Sequence, residues 1–140
     1  MTDAASFYLG YLLNRSAQEI RERTAHVLRP AGLAPRHFGL LLQLERHGPM
    51  SQRDLGRAHG VDRTTMVALL DRLEELELAR RAPDPEDRRR YAVTLTDGGR
   101  RTLEHLKEEV LAVERAMLTG LDDEELERLR GLLVKLLRSV

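Results

Sequence analysis

The 140-residue chain has no cysteine. That excludes disulfide frameworks, thiolate zinc sites, cysteine nucleophiles and any sensor that works by oxidising a thiol. It also lacks an apolar run approaching the roughly 18 to 20 residues that a bilayer-spanning helix requires. Met1 to Ala5 is polar rather than a charged segment feeding an apolar one, so neither a membrane partner nor a secretory leader is expected, and a cytoplasmic location is. An excess of either charge is missing too. Lys+Arg and Asp+Glu both number 23, which excludes a general polycation and a disordered acidic tail. Lysine is scarce, with Lys107 and Lys135 standing against 21 arginines. GC-rich coding DNA produces that bias unaided, so the arginine count alone says nothing about nucleic acid.

What is present is enough for one folded domain, since 41% of the residues are hydrophobic and the length is that of a single ordinary core. Charge is unevenly spread. Residues 1–52 hold 6 basic and 4 acidic groups, residues 53–101 hold 11 and 10, and residues 102–140 hold 6 and 9. The acidic C-terminal part and mildly basic remainder suit a protein with one anionic partner at one end.

Apolar periodicity and turn residues divide the chain. Residues 3–29 space Phe7, Tyr8, Tyr11, Leu12, Ile20, Val27 and Leu28 for one helical face, and Pro30 with Gly32 ends the run. A second helix opens at Pro35, carries Phe38, Leu41 and Leu42, and stops at His47-Gly48-Pro49. Ser51 and Asp54 resemble a capping box opening a helix that closes at Gly60. Asp62 caps the next helix, in which Met66, Leu69, Leu70, Leu73 and Leu76 face inward. Tyr91, Val93 and Leu95 alternate with Ala92, Thr94 and Thr96, and Leu78 to Arg81 forms the matching arm of a hairpin whose charged loop is Ala82 to Arg90. Thr96 and Asp97 cap a helix with a seam of Leu103, Leu106, Val110, Val113 and Met117. After Gly120 a last helix starts among acids at Asp122 to Glu125 and repeats the step at Leu126, Leu129, Leu133 and Leu136. The fold class expected is mainly α with a small β-hairpin: a winged helix-turn-helix plus a helical dimerisation domain.

Helix, tight turn at Gly60, helix and hairpin is the layout in which the second helix of the pair enters a DNA major groove. Such a helix must show short polar side chains and an arginine in its first turn to reach base edges and phosphates. Arg63, Thr64 and Thr65 meet that need, although the solvated face of an ordinary amphipathic helix would carry the same residues. The hairpin loop adds Arg88, Arg89 and Arg90, and a Pro-flanked loop tipped with arginine fits a narrow minor groove. Asp87, two residues before Arg89, can brace one guanidinium outward. A solubilising turn is the plainer reading of the same charges.

The stretch Ser51-Gln52-Arg53-Asp54-Leu55 through Val61-Asp62-Arg63-Thr64-Thr65 to Leu70-Asp71-Arg72-Leu73-Glu74, then Pro85 to Arg90 and Val93-Thr94-Leu95-Thr96-Asp97-Gly98-Gly99, resembles the MarR family of transcriptional regulators. The likeness covers nearly the whole chain. Its most specific part is the wing, where D-x-R followed by V-x-L-T falls on Asp87, Arg89, Val93, Leu95 and Thr96. The resemblance implies an obligate homodimer whose two winged helices read a pseudo-palindromic operator in double-stranded DNA; the function expected is a transcriptional regulator, a repressor or an activator. Residues 1–34 and 100–140 would form the helical dimerisation region and 35–99 the DNA-binding winged helix, within one compact chain. Arg89 would enter the minor groove and Arg72 would touch the DNA backbone, joining Ser51, Gln52, Arg63, Thr64, Thr65, Arg88 and Arg90 as DNA-facing residues.

Two seams of period 3.5 also present more apolar surface than a short monomer readily covers. Pairing of the last two helices within the chain would bury part of both, and a mixture of that pairing with contact across a two-fold axis is the expectation. The resemblance further implies a cleft for a small anionic or phenolic effector, and Tyr8, Tyr11, Arg15, His37 and Phe38 lie on the two helices that would line it. Each aromatic is equally an ordinary core residue. His26, His37, His47, His59 and His105 have no partner at metal-ligand spacing, and no glycine-rich phosphate loop occurs. No catalytic residues, metal or cofactor and no enzymatic activity are expected. The alternative function is a winged-helix protein-interaction adaptor without specific DNA binding. DNA binding that weakens steeply with salt and discriminates among duplexes separates the two.

Overall fold

The computed structural model describes residues 8–140. The expected start of the first helix at residue 3, and Phe7 within it, lie outside the described residues. In chain order come α1 (Leu9–Leu28), a single 3-10 turn (Arg29–Ala31), α2 (Pro35–His47), α3 (Gln52–His59), α4 (Arg63–Glu75), β1 (Ala79–Pro83), β2 (Tyr91–Leu95), α5 (Asp97–Met117) and α6 (Asp123–Arg138). The mainly α architecture with a small hairpin is thus present. Among the described residues no helix is long and apolar enough to cross a membrane.

Local chemistry sets the element limits. Pro35 begins α2, where its missing N–H is no loss. Ser51 Oγ accepts from the Asp54 N–H at 3.0 Å and Asp62 Oδ1 from the Thr65 N–H at 2.7 Å. Of the expected capping box at Ser51, this hydroxyl half is the part present. Thr96 Oγ1 accepts from the Gly99 N–H at 2.9 Å while donating to the Glu77 carbonyl at 2.6 Å. Asp122 and Glu125 cap α6 reciprocally.

The hairpin pairs antiparallel, with Ala79 opposite Leu95 and Pro83 opposite Tyr91. Its first strand extends to Pro83, two residues beyond the expected Arg81. A third partner, unforeseen in the sequence, joins at Met50, which exchanges two backbone hydrogen bonds with Val93 at 3.1 and 2.7 Å. Wing and helix pair are thereby stitched together.

One core unites these elements. Leu28, Leu40, Leu41, Leu44, Leu55, Met66, Leu70, Leu73, Leu95, Leu103 and Leu106 are buried in it, with Leu69 and Leu76 packed at its edge. The start of α5 is pressed onto the hairpin so closely that a Cβ at Gly99 would fall 2.0 Å from the Leu78 carbonyl oxygen, leaving room for glycine alone. Tyr8, Tyr11 and Leu12 are exposed, so the N-terminal half of the α1 apolar face is uncovered by its own chain. One sequence expectation fails here: the last helix does not pair with α5 to hide its seam, since α6 has no buried residue and Leu129, Leu133 and Leu136 are all exposed.

Candidate nucleic-acid interface

The candidate interface has two projections. The first is the N-terminal turn of α4, where Arg63 and Thr64 are exposed and Thr65 is half-buried. Asp62 fixes where that turn begins. The backbone N–H and the hydroxyl of Thr65, with Arg36 adding its charge, hold the Asp62 carboxyl below its ordinary range, so it remains an anionic cap through neutral and mildly acid pH. Behind this turn, Met66, Leu70 and Leu73 anchor the helix in the core.

The second projection is the wing tip. The Asp84 N–H donates to the Arg90 carbonyl at 2.7 Å, the Arg90 N–H to the Asp87 carbonyl at 3.0 Å and the Glu86 N–H to Asp84 Oδ1 at 2.9 Å. The loop is therefore a pinned turn rather than a slack one. Arg89 Nε lies 3.1 Å from Asp87 Oδ1, and hydrogen bonds from Arg89 are the main reason the Asp87 carboxyl sits below its ordinary range. Arg89 nevertheless stays 91% exposed, so the carboxylate orients the guanidinium without hiding it. Arg88 and Arg90 are exposed beside it.

A clamp joins the two projections. Arg81 on β1 gives both its backbone N–H and Nη1 to Glu74 Oε1, at 3.1 and 2.8 Å, and Nη1 also lies 3.1 Å from Asp71 Oδ1. Both acids belong to α4, so the helix and the wing share one half-buried ionic contact. Between α3 and α4 runs an open cavity of about 720 Å³ lined by Gln52, Arg53, Arg57, Asp62, Arg63 and Met66, among others. Arg53 and Arg57 escaped the sequence reading. Their i, i+4 spacing on a short helix was the available signal, since it stacks both guanidinium groups on one face.

The remaining expected residues separate. Ser51 is engaged as the α3 cap and Gln52 opens that helix at the cavity. Arg72 is half-exposed and engaged within the chain, with Nε donating to the Gly32 carbonyl at 3.1 Å and Nη1 to Glu75 Oε2 at 2.9 Å. The five effector residues do not converge within one chain. Phe38 is a core residue. His37 Nδ1 accepts the Ala34 N–H at 2.9 Å at the start of α2, beside the C-terminal end of α1. Tyr8, Tyr11 and Arg15 lie about 20 to 30 Å back along α1 at 1.5 Å per residue. Burial, and then the charge of Arg72, lower the His37 pKa. Among the described residues no cluster of three His, Asp or Glu side chains is disposed to hold a metal ion.

Residues 31–90 match the MarR family profile. A transcriptional regulatory protein named for the hcr operon of Thauera aromatica is 31% identical over 132 residues, 94% of this chain and 80% of its own. CouR from Rhodococcus jostii RHA1, solved with p-coumaroyl-CoA, superposes with a TM-score of 0.82 at 30% identity, covering 94% of this chain and 93% of that one. CouR bound to a 23-mer DNA duplex gives 0.82 at 32% identity over the same shares. Apo MarR from E. coli gives 0.81 at 26% identity, covering 93% and 97%. Helix order, wing motif and near full-length likeness agree, and the chain belongs to the MarR family of transcriptional regulators.

Proposed function

We propose that this chain is a homodimeric, sequence-specific DNA-binding repressor without enzymatic activity. It sets the first turn of α4 into the major groove and the Arg88–Arg90 wing tip into the flanking minor groove. The observation that carries the reading is the pair of exposed cationic projections at Arg63 and Arg89, the first on a helix turn that Asp62 caps and the second braced by Asp87, with helix and wing joined through Arg81. CouR, solved on a DNA duplex, supports the DNA partner. Thr64 and Thr65 face base edges, while Ser51, Gln52, Arg53 and Arg57 lie against phosphates, as befits the first helix of a helix-turn-helix. Residues 35–99 are the reading head, and 1–34 with 100–140 supply the dimer region. The uncovered apolar faces of α1 and α6 support the second assignment.

A two-fold dimer places its reading helices on half-sites whose centres lie about 10 to 10.5 bp apart. A small anionic or phenolic effector then releases DNA by favouring another separation of those helices. CouR with p-coumaroyl-CoA supports that ligand class. Of the residues first considered for it, Tyr8, Tyr11 and Arg15 remain accessible, whereas Phe38 is held by packing and His37 by its capping bond. Selecting bound duplexes from a random pool with the purified protein tests the core of the reading. A single pseudo-palindromic motif is expected, bound with an affinity that falls steeply with salt. Recovery of unrelated duplexes with equal affinity would instead favour a protein-interaction adaptor.

A further inference from the structure

Arg72 occupies the last third of α4, three residues before its end, and reaches out of its own helix to a residue 40 positions earlier. Its target, the Gly32 carbonyl, directly follows the 3-10 turn that ends α1. Three features make this a fitted joint. Gly32 has φ of +75°, in the left-handed region that side chains rarely adopt, and a Cβ there would lie 2.5 Å from Arg72 Nη2. The guanidinium uses two edges at once, Nε on Gly32 and Nη1 on Glu75, which a planar fork achieves and a lysine ammonium does not. The contact is half-buried and ties the reading helix to the arm that carries α1.

We propose that Arg72 is a positioning residue that sets the tilt of α4 against the dimer arm, and hence the half-site spacing the dimer accepts, rather than a phosphate contact. This rests on the dimeric DNA-binding reading above. The lever is favourable. Arg63 stands nine residues from Arg72, about 13 Å along the helix axis, so a tilt of about 10° carries the reading turn roughly 2 Å. Two protomers tilting in opposite senses change the separation by about 4 Å, more than the roughly 3.4 Å rise of one base pair. With Nε on the Gly32 carbonyl and Nη1 on Glu75, two edges of the Arg72 fork are committed within the protomer.

The test uses the full-length protein, with Arg72→Met and Arg72→Lys, on the duplex the wild type selects and on versions with one base pair inserted or removed between half-sites, each titrated with salt. Both variants are expected to remain folded dimers with the wild-type salt dependence. Both should lose at least about fivefold of the preference for native spacing, the lower end of an ordinary coupling between sites. Met lowering the salt slope by about one unit, with spacing preference intact and binding restored in Lys, makes Arg72 a phosphate contact and overturns the inference. Should Met fail to fold, the Lys variant decides alone, because it keeps the charge and loses the fork. A wild type that selects no duplex removes the DNA reading and this inference together. A wild type that selects one, with variants of unchanged spacing preference, removes the inference only.

Discussion

The winged part of the chain and its helical ends handle apolar side chains in opposite ways. From Leu28 to Leu106 the leucines at helical spacing disappear into one core, and Leu28, Leu41, Leu55, Leu73 and Leu103 are fully buried. In α6 the same residue type at the same spacing stays at the surface, with Leu129 and Leu133 at 37% and Leu136 at 47% exposure. Both regions are capped and helical, so the difference is one of partners rather than of local propensity. An exposed apolar stripe of this length on a folded chain marks an association surface. A helix of this length gains most of its stability from packing an amphipathic face, and on the dimeric reading proposed above α6 takes that packing from the partner protomer.

The sharpest way to break the contrast is to spoil the outer stripe while sparing the core. Leu129→Arg with Leu133→Arg puts two charges on the α6 face and touches no buried residue. The doubly substituted chain is expected to sediment as a monomer and to lose operator affinity by about 100-fold or more, because each half-site then binds without the other. A dimer of wild-type affinity would place the association surface elsewhere.

A matched pair of truncations comes next in size. Leu55→Ala removes a fully buried side chain from α3 and should cost about 2 to 5 kcal/mol of unfolding free energy. Leu132→Ala, on the exposed face of α6, should leave the unfolding of the winged part unchanged and weaken dimerisation only. Chemical denaturation at a concentration series separates the two, since only an effect on association depends on concentration. Equal losses for both would mean that the two regions share one core.

How far the sequence discloses this division follows from the range of the interactions. Element limits at Pro35, Ser51, Gly60, Asp62 and Thr96 are legible because a cap or a stop is settled within three or four residues. The wing is legible for the same reason, since Asp87 braces Arg89 from two residues away. What is settled at long range is hidden: the Met50 bridge to Val93, the Arg81 clamp, and the Arg72 contact with Gly32. Periodicity at Leu126 to Leu136 gives α6 an apolar face but not the identity of what covers it. Phe38 shows the same ambiguity, because an aromatic at helical spacing reads alike whether it fills a core or lines a cleft.

Within the reading head, Arg89→Ala sharpens the comparison between orienting and packing roles. The residue is almost fully exposed and contacts only its own loop, so fold and dimer should be untouched. Loss of one specific groove contact is expected to weaken operator binding by about 1 to 3 kcal/mol. Unchanged affinity at physiological salt would remove the wing from the interface.

The smallest expected effect separates the two regions by pH. Among the titrating groups of the winged part, His37 and His59 are both held below the ordinary imidazole value of 6.5. His37 is lowered by burial and then by Arg72, while its Ala34 bond acts the other way. His59, whose buried Nε2 has no hydrogen-bond partner among the described residues, is lowered by burial. Between 6.5 and the folded values the unfolded chain binds more protons, so stability rises with pH there. The contribution is complete above about 6.5 and is lost as pH falls through the folded values. Asp62 and Asp87 are lowered as well, but their losses lie below the ordinary carboxylate value of 3.8, outside a comparison of pH 7.5 with pH 5.5. The urea midpoint should therefore be lower at pH 5.5. His37→Gln should flatten part of that dependence, because glutamine at the third helical position can accept the Ala34 N–H without titrating. A midpoint that rises on acidification would reverse the sign and exclude these imidazoles as its source.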